Sequence, residues 1–207
     1  MEQIQKINYD KLLENIIKEL NYKPKLLLHS CCGPCSSYVI TYLKDYFDIT
    51  ILYYNPNIEP VTEYEKRKQE QIKLINKLNI KTLSLLDIDY ENNKYREFVK
   101  GYEKEAEGGH RCHLCYELRL EMTAKKALEN NFEYFGTTLT VSPYKNALIL
   151  NKIGESLQNK YQIKWLYSDF KKKEGYKKSI ELSKEYELYR QDYCGCLFSR
   201  EVGKIYE

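Results

Sequence analysis

The stretch LLLHSCCGPCSSYVITYLKDYF, residues 26–47, changes character twice along its length. Leu26 to Leu28 form a short apolar run that fits a buried strand. SSYVITYLKDYF, residues 36–47, carries its apolar positions at helical spacing. Between them, Cys31-Cys32-Gly33-Pro34-Cys35 supplies the glycine and proline of a tight turn. The stretch reads as strand, turn, helix, with three thiols on the turn. That position has chemical consequences, because the helix dipole and free N–H groups at a helix start stabilise a thiolate.

The same alternation runs outward from this stretch. Upstream, YDKLLENIIKELNY has helical spacing and Pro24 closes it. Downstream, ITILYYN suits a second strand, VTEYEKRKQEQIKLINKL a polar helix, and TLSLL (82–86) a third short strand. Helical character returns through YREFVKGYEKEAE, breaks at Gly108-Gly109, and resumes strongly in LRLEMTAKKALENN. FEYFGTTL then reads as a strand, NALILNKIGESLQNK as a helix, IKWLYS as a strand, and a last helix is expected around Tyr176 to Leu188. Strands alternating with helices predict an α/β fold, a Rossmann-like, mostly parallel sheet with helices on both faces. No repeat, low-complexity linker or domain boundary interrupts the pattern, so a single domain over 1–207 is expected. Ligands of such sheets gather beyond the carboxyl ends of the strands. Cys31, Asn55, Thr137 and Asp169 each follow a predicted strand and are expected to converge on one edge.

Composition narrows the function less than the cysteines do. The 33 Lys+Arg against 30 Asp+Glu leave a formal charge of +3, which neither requires nor excludes a nucleic-acid partner. The 21 tyrosines are scattered through every segment, so they read as compositional drift rather than a stacking surface. No apolar run approaches the ~20 residues of a membrane span, and MEQIQKINYDKLLENI is a charged amphipathic pattern rather than a signal peptide. A cytoplasmic protein with no membrane partner is expected. In that compartment the seven cysteines suggest metal or redox chemistry rather than structural disulfides.

The cysteines fall into three groups: Cys31/Cys32/Cys35, Cys112/Cys115 and Cys194/Cys196. CGPC alone suggests a thioredoxin-like site. Against a plain thioredoxin stand Cys31 where an aromatic precedes that motif, a chain about twice the length, and four further cysteines in two tight groups. In HRCHLC, the CxxC at a helix start lets two thiolates grip one metal or cluster. A zinc site and a [4Fe–4S] cluster both fit four thiolates drawn from the first two groups, and spacing does not separate them. Cys194-Gly195-Cys196 differs in kind. A disulfide between thiols two residues apart closes a small strained ring that is easily reduced, which suits passing two electrons. Two further metal ligands are the alternative, since CxC pairs also ligate metals.

With all three groups in view, the chain resembles the cobalamin-independent epoxyqueuosine reductase family, QueH. The carrying motifs are LLLHSCCGPCSS, YYNPNIEPVTEYEKR, GGHRCHLCYELRLEMTA, FGTTLTVSPYKN and DFKKKEGYKKSIELSKEYELYRQDYCGCLFS, from about Lys25 to about Ser199. The resemblance implies a Rossmann-like sheet akin to adenine-nucleotide-binding hydrolases. It also implies reduction of the epoxide of epoxyqueuosine, at the tRNA wobble nucleotide, to the alkene of queuosine. It implies an iron–sulfur cluster on Cys31, Cys32, Cys112 and Cys115 and a redox-active disulfide on Cys194 and Cys196. A second, mononuclear metal is associated with the family, and Cys35 is the spare thiolate for it. The partners implied are the tRNA anticodon loop and an electron donor whose identity the sequence leaves open.

Two rival readings make different demands on the same residues. An ATP-dependent tRNA-thiolating enzyme shares the sheet but needs a glycine- and serine-rich phosphate loop, where this chain has SCCGPCSS. A zinc-stabilised RNA-binding module would be colourless, whereas a [4Fe–4S] protein is brown. For the acid that takes the epoxide oxygen, Asp192 and Asp169 are the candidates, each also readable as a surface or capping residue. KKKEGYKK (171–178), with Tyr176, could hold anticodon-loop phosphates, and Arg67, Lys145 and Arg190 are further basic candidates. His29, His110 and His113 are candidate hydrogen-bond donors around a cluster, with strand-end packing the alternative for His29.

Overall fold

The computed structural model of the protein describes residues 7–201. Residues 1–6 of the charged amphipathic start lie outside the described residues. Five strands, β1 (Lys25–His29), β2 (Asp48–Leu52), β3 (Ser84–Leu86), β4 (Tyr134–Thr137) and β5 (Lys164–Trp165), form one sheet in the order β3-β2-β1-β4-β5. Every pairing is parallel. This is the expected Rossmann-like arrangement. Leu28 pairs with Ile51 on one side and Gly136 on the other, so the cysteine turn after β1 leaves the sheet at its centre. The chain turns back between β1 and β4, and that switch of direction opens a crevice at the strands' carboxyl ends.

The strands alternate between two cores. Leu26 and Leu28 pack with Val39, Ile40 and Leu43 of α2 (Gly33–Leu43) and Leu74 of α3 (Val61–Leu78). Leu27 points to the other face, toward Leu120 and Ala124 of α5 (His110–Glu129) and Leu150 of α6 (Ala147–Tyr161). All three leucines are fully buried, and each contributes about 1.5–3 kcal/mol of burial free energy. α1 (Tyr9–Glu19) joins the first face through Leu13, and α4 (Asn92–Phe98) the second through Tyr95. α7 (Gly175–Glu185) packs on α2, and α8 (Leu197–Glu201) follows the last cysteine pair.

Three sequence expectations change in extent. YREFVKGYEKEAE is helical only to Phe98. Gly101, at φ +91°, then leads a series of turns, where the buried Arg111 guanidinium donates to the Glu103 carbonyl at 2.7 Å. IKWLYS contributes two residues to the sheet, because β5 is an edge strand paired only with β4. The helix expected to reach Leu188, α7, ends at Glu185, Glu187 adopts a left-handed conformation (φ 50°) two residues later, and the short α8 follows the last cysteine pair.

Candidate metal and redox centre

The turn after β1 is fastened by a polar cluster beneath the thiols. Ser30 and Ser36 donate to Gln71 Oε1 of α3 at 2.7 and 2.9 Å, and Ser36 also donates to the Cys32 carbonyl at 2.8 Å. Asn55, after β2, donates to the Ser30 carbonyl at 2.8 Å. His29 places Nδ1 3.0 Å from Thr137 Oγ1 and Nε2 3.1 Å from the Tyr54 carbonyl. A carbonyl only accepts, so Nε2 carries the proton and Nδ1 accepts from Thr137. Burial and the charge of Arg119 push His29 down to about 3, so the ring stays neutral. His29 is therefore the strand-end packing residue of the two readings. Cys31, Asn55 and Thr137 do converge at one edge of the sheet. Asp169 follows β5 and pairs with Lys171 at 2.6 Å.

On this foundation the first group is compact. The sulfurs of Cys31, Cys32 and Cys35 all lie within 4.8 Å of one another, and Cys31 and Cys32 are 3.7 Å apart. Cys32 is the N-cap of α2, and Pro34 stands in the first turn of that helix. Hydrogen bonds from Cys31 and Cys35 hold Cys32 well below the usual thiol range, while Cys31, sharing a proton with Cys32, is pushed up to about 12. Gln191 Nε2 donates to Cys32 Sγ at 3.1 Å. Three converging thiols, one of them more acidic than an ordinary cysteine, are a donor set for a thiophilic metal.

The second group sits at the start of α5. Gly108 N–H donates to Cys112 Sγ at 3.3 Å, and burial pushes Cys115 up to about 12. These thiols lie in one core with Cys196, and Cys31 packs against it. Among the described residues, the mutually close set is Cys31, Cys32 and Cys35, and Cys112 and Cys115 are not within it. Of the four implied cluster ligands, Cys31 and Cys32 lie in the compact group with Cys35, while Cys112 and Cys115 share the core against which Cys31 packs.

The third group divides. Cys196 is buried, and its carbonyl accepts from Ser199 Oγ at 2.8 Å. Cys194 is half-buried and lines a cavity of about 260 Å³ with Cys31, Cys35, Arg119, Lys145, Tyr176, Arg190 and Asp192. Lys145 Nζ lies 3.2 Å from Cys194 Sγ. All seven cysteines are free thiols. The backbone of this loop is clamped by Arg67, which donates to the carbonyls of Cys194 (3.2 Å) and Tyr193 (3.3 Å) while Glu63 holds its Nε at 2.7 Å.

That clamp corrects one sequence expectation. Arg67 is 1 % exposed and spends its donors on the Cys194 loop, so it presents no cation to a phosphate, whereas Lys145 faces the cavity beside Cys194. Arg190 lines the cavity, with its guanidinium over the Tyr176 ring at 5.3 Å. In KKKEGYKK, Lys171, Lys173 and Lys177 are paired with acidic groups, so the segment is partly neutralised at home. Sequence reasoning missed Arg119 and Gln191. Arg119 lies one helical turn beyond Cys115, a spacing that places it on the thiols' face and was there to be read.

The comparisons with known proteins bear on what such a site does. The family model described as epoxyqueuosine reductase QueH matches residues 26–202. The chain belongs to the QueH family. Among its relatives, the epoxyqueuosine reductase QueH of Staphylococcus epidermidis is 47 % identical over 203 residues, covering 94 % of this chain and 85 % of the relative. That of Streptococcus pyogenes serotype M1 is 42 % identical, covering 97 % and 81 %. The Thermotoga maritima QueH is 37 % identical, covering 84 % and 89 %. The match spans all three cysteine groups of this QueH chain. No described helix is long and apolar enough to cross a membrane.

Proposed function

We propose that the chain reduces epoxyqueuosine to queuosine at the wobble position of tRNA, with a [4Fe–4S] cluster on Cys31, Cys32, Cys112 and Cys115 and with Cys194 and Cys196 as a redox-active pair. The supporting observation is that Cys31, Cys35 and Cys194 line one cavity with the buried Arg119, whose Nε donates to the Cys115 carbonyl, so that one side chain touches or faces members of all three groups. Membership of a family of epoxyqueuosine reductases supports the reaction itself.

The donor set fits the group. Thiolates are the usual ligands of iron–sulfur clusters, two helix starts supply them here, and a buried cation with an unpartnered Nη2 stands beside them. When bound, the cluster supplies electrons one at a time. The reaction consumes two electrons and two protons: the two C–O bonds of the epoxide break, a carbon–carbon double bond forms, and the oxygen leaves as water. The Cys194/Cys196 pair matches that stoichiometry, since oxidation of two thiols to a disulfide releases two electrons and two protons. Cys194, facing the cavity, is the member within reach of a substrate, and Cys196 lies behind it. Asp192 lines the same cavity, which favours it as the acid for the departing oxygen over Asp169, which is paired with Lys171 and is not among the lining residues. A cavity of about 260 Å³ suits the modified part of one nucleoside, and a base in an anticodon loop is displaced at small cost. The convergence of Cys35 with Cys31 and Cys32 favours it as the thiolate of a second, mononuclear metal.

The test is anaerobic purification with iron, sulfide and zinc analysis, followed by conversion of epoxyqueuosine in tRNA with an artificial reductant. Iron and sulfide together with queuosine formation are expected. Stoichiometric zinc without sulfide would overturn the cluster, and a cluster-loaded protein inert on the modified tRNA would overturn the reaction.

A further inference from the structure

Arg119 occupies a position where a charged side chain is costly without a counter-charge. It is 1 % exposed, in the middle of α5, one turn beyond Cys115 and two beyond Cys112. Its Nε donates to the Cys115 carbonyl at 3.0 Å, which folds the side chain back along the helix toward the thiols. Its Nη2 is buried and has no hydrogen-bond partner among the described residues. The guanidinium lies 5.7 Å from the Tyr116 ring centre and reaches the wall of the cavity. No carboxylate among the described residues forms an ion pair with it. Cys31 and Cys194 line that cavity with it, and their sulfurs and that of Cys115, as the thiolates that metal ligation requires, are the groups that favour its charged form against burial. Arginine does not shed its proton to relieve such burial, so the positive charge stays.

A permanent cation among sulfur ligands, with a free donor and no acid of its own, complements an anionic centre. We propose that Arg119 is the built-in counter-cation of the metal–thiolate centre and that its fixed charge sets the reduction potential of that centre. The inference rests on the cluster reading above and goes beyond it by giving one residue an electrostatic task. Adding an electron makes the centre more negative, so a nearby positive charge favours the reduced form and raises the potential. Arg119 coordinates nothing; it acts through the field it places on the ligands. The loop bearing Cys194 reaches the same guanidinium, so one charge biases both the cluster and the redox pair.

The experiment compares wild type, Arg119→Gln and Arg119→Lys as full chains reconstituted anaerobically. Iron and sulfide are measured, and the centre is titrated electrochemically with the reduced state followed by electron paramagnetic resonance. Arg119→Gln is expected to hold its iron at a more negative midpoint potential, and Arg119→Lys to stay near wild type. Loss of the cluster in Arg119→Gln with retention in Arg119→Lys also supports the charge. An unshifted potential in an iron-replete Arg119→Gln overturns the inference. So does equal loss of iron, or an equal shift, in both variants, because shape rather than charge would then be what the site needs. Wild type without iron and sulfide fails earlier, at the functional reading itself.

Discussion

The first and last cysteine groups are held by opposite means. Cys31, Cys32 and Cys35 stand where the central strand passes into α2, on backbone fixed by the sheet, the helix and the Ser30–Ser36–Gln71 cluster. Cys194 and Cys196 stand on a loop between α7 and α8, and long-range clamps replace regular structure there. Arg67 holds two carbonyls, the Glu59 N–H donates to the Gly195 carbonyl at 2.8 Å, and Tyr193 Oη donates to the Glu59 carbonyl at 2.9 Å. The sulfurs of the first group point at one another; those of the last separate, one to the cavity and one to the core. Convergence on rigid elements suits permanent ligands. A pair two residues apart on one clamped loop, with one sulfur at the cavity and one behind it, suits exchange of electrons.

The sharpest break of this comparison is by thiol removal. Cys31→Ala, Cys32→Ala, Cys112→Ala and Cys115→Ala are each expected to lose most iron and sulfide. Cys194→Ser and Cys196→Ser are expected to keep both and to lose turnover by orders of magnitude. Elemental analysis alongside conversion of epoxyqueuosine in tRNA reads the two outcomes apart. Full iron in Cys112→Ala or Cys115→Ala would instead make Cys35, already within 4.8 Å of Cys31 and Cys32, the replacement ligand.

A smaller effect is expected at the clamp. Arg67→Ala leaves Glu63, 12 % exposed, without its ion-pair partner and with the Tyr189 hydroxyl at 3.3 Å, and strips the donors from two loop carbonyls. Breaking such a buried pair costs about 3–5 kcal/mol, measurable by denaturant unfolding. If the clamp serves the last group alone, iron content stays at the wild-type level while turnover falls. Iron lost in step with turnover would show that the two regions are not mechanically separate.

Each region also contains a glycine that tolerates no side chain, for different reasons. Gly195 has φ +118°, and a Cβ there would lie 2.9 Å from Ile58 Cγ1 and 3.0 Å from Arg67 Nη1. Gly33 has an ordinary φ, but its Cβ would meet the Glu70 carbonyl oxygen at 2.9 Å, pressing α2 away from α3. Each Gly→Ala change is expected to cost about 1–3 kcal/mol. Gly195→Ala should disturb only turnover and Gly33→Ala iron content. Both effects at once in either variant would blur the distinction.

The first region was the more legible in sequence, and its physics explains why. Apolar alternation, a glycine and proline at the turn, and a long helical run are local signals, and they gave the strand, the turn, α2 and α3. The last region is ordered by groups far away in sequence. That Arg67 faces Cys194, or that Arg119 lies among three thiol groups, follows from how the helices pack on the sheet. The loop after α4 misled for a related reason: YREFVKGYEKEAE has helical composition, yet its second half is organised by Arg111, which accepts no role in a local pattern. Lysines 171, 173 and 177 looked available for phosphates because their acidic partners in α1 and the adjoining turns are not visible as partners until the chain is folded.

The smallest effect concerns the one hydrogen bond that joins the two regions through a thiol. Gln191, three residues before Cys194, donates from Nε2 to Cys32 Sγ at 3.1 Å, while its Oε1 is buried without a partner among the described residues. Gln191→Leu removes the donor to a sulfur that metal ligation holds as a thiolate, a loss of about 1.5–3 kcal/mol taken alone. It also removes an unsatisfied buried oxygen, a gain of about 1–3 kcal/mol. The two nearly cancel, so unfolding should shift by about 1 kcal/mol or less, with iron content unchanged. The expected signature is chemical rather than thermal. Without the donor, Cys32 is a more strongly donating ligand, and the midpoint potential of the centre should move negative, by less than in Arg119→Gln because a neutral dipole has been lost instead of a full charge. A shift as large as that of Arg119→Gln would mean that the link between the regions, and not the buried cation, dominates the field at Cys32.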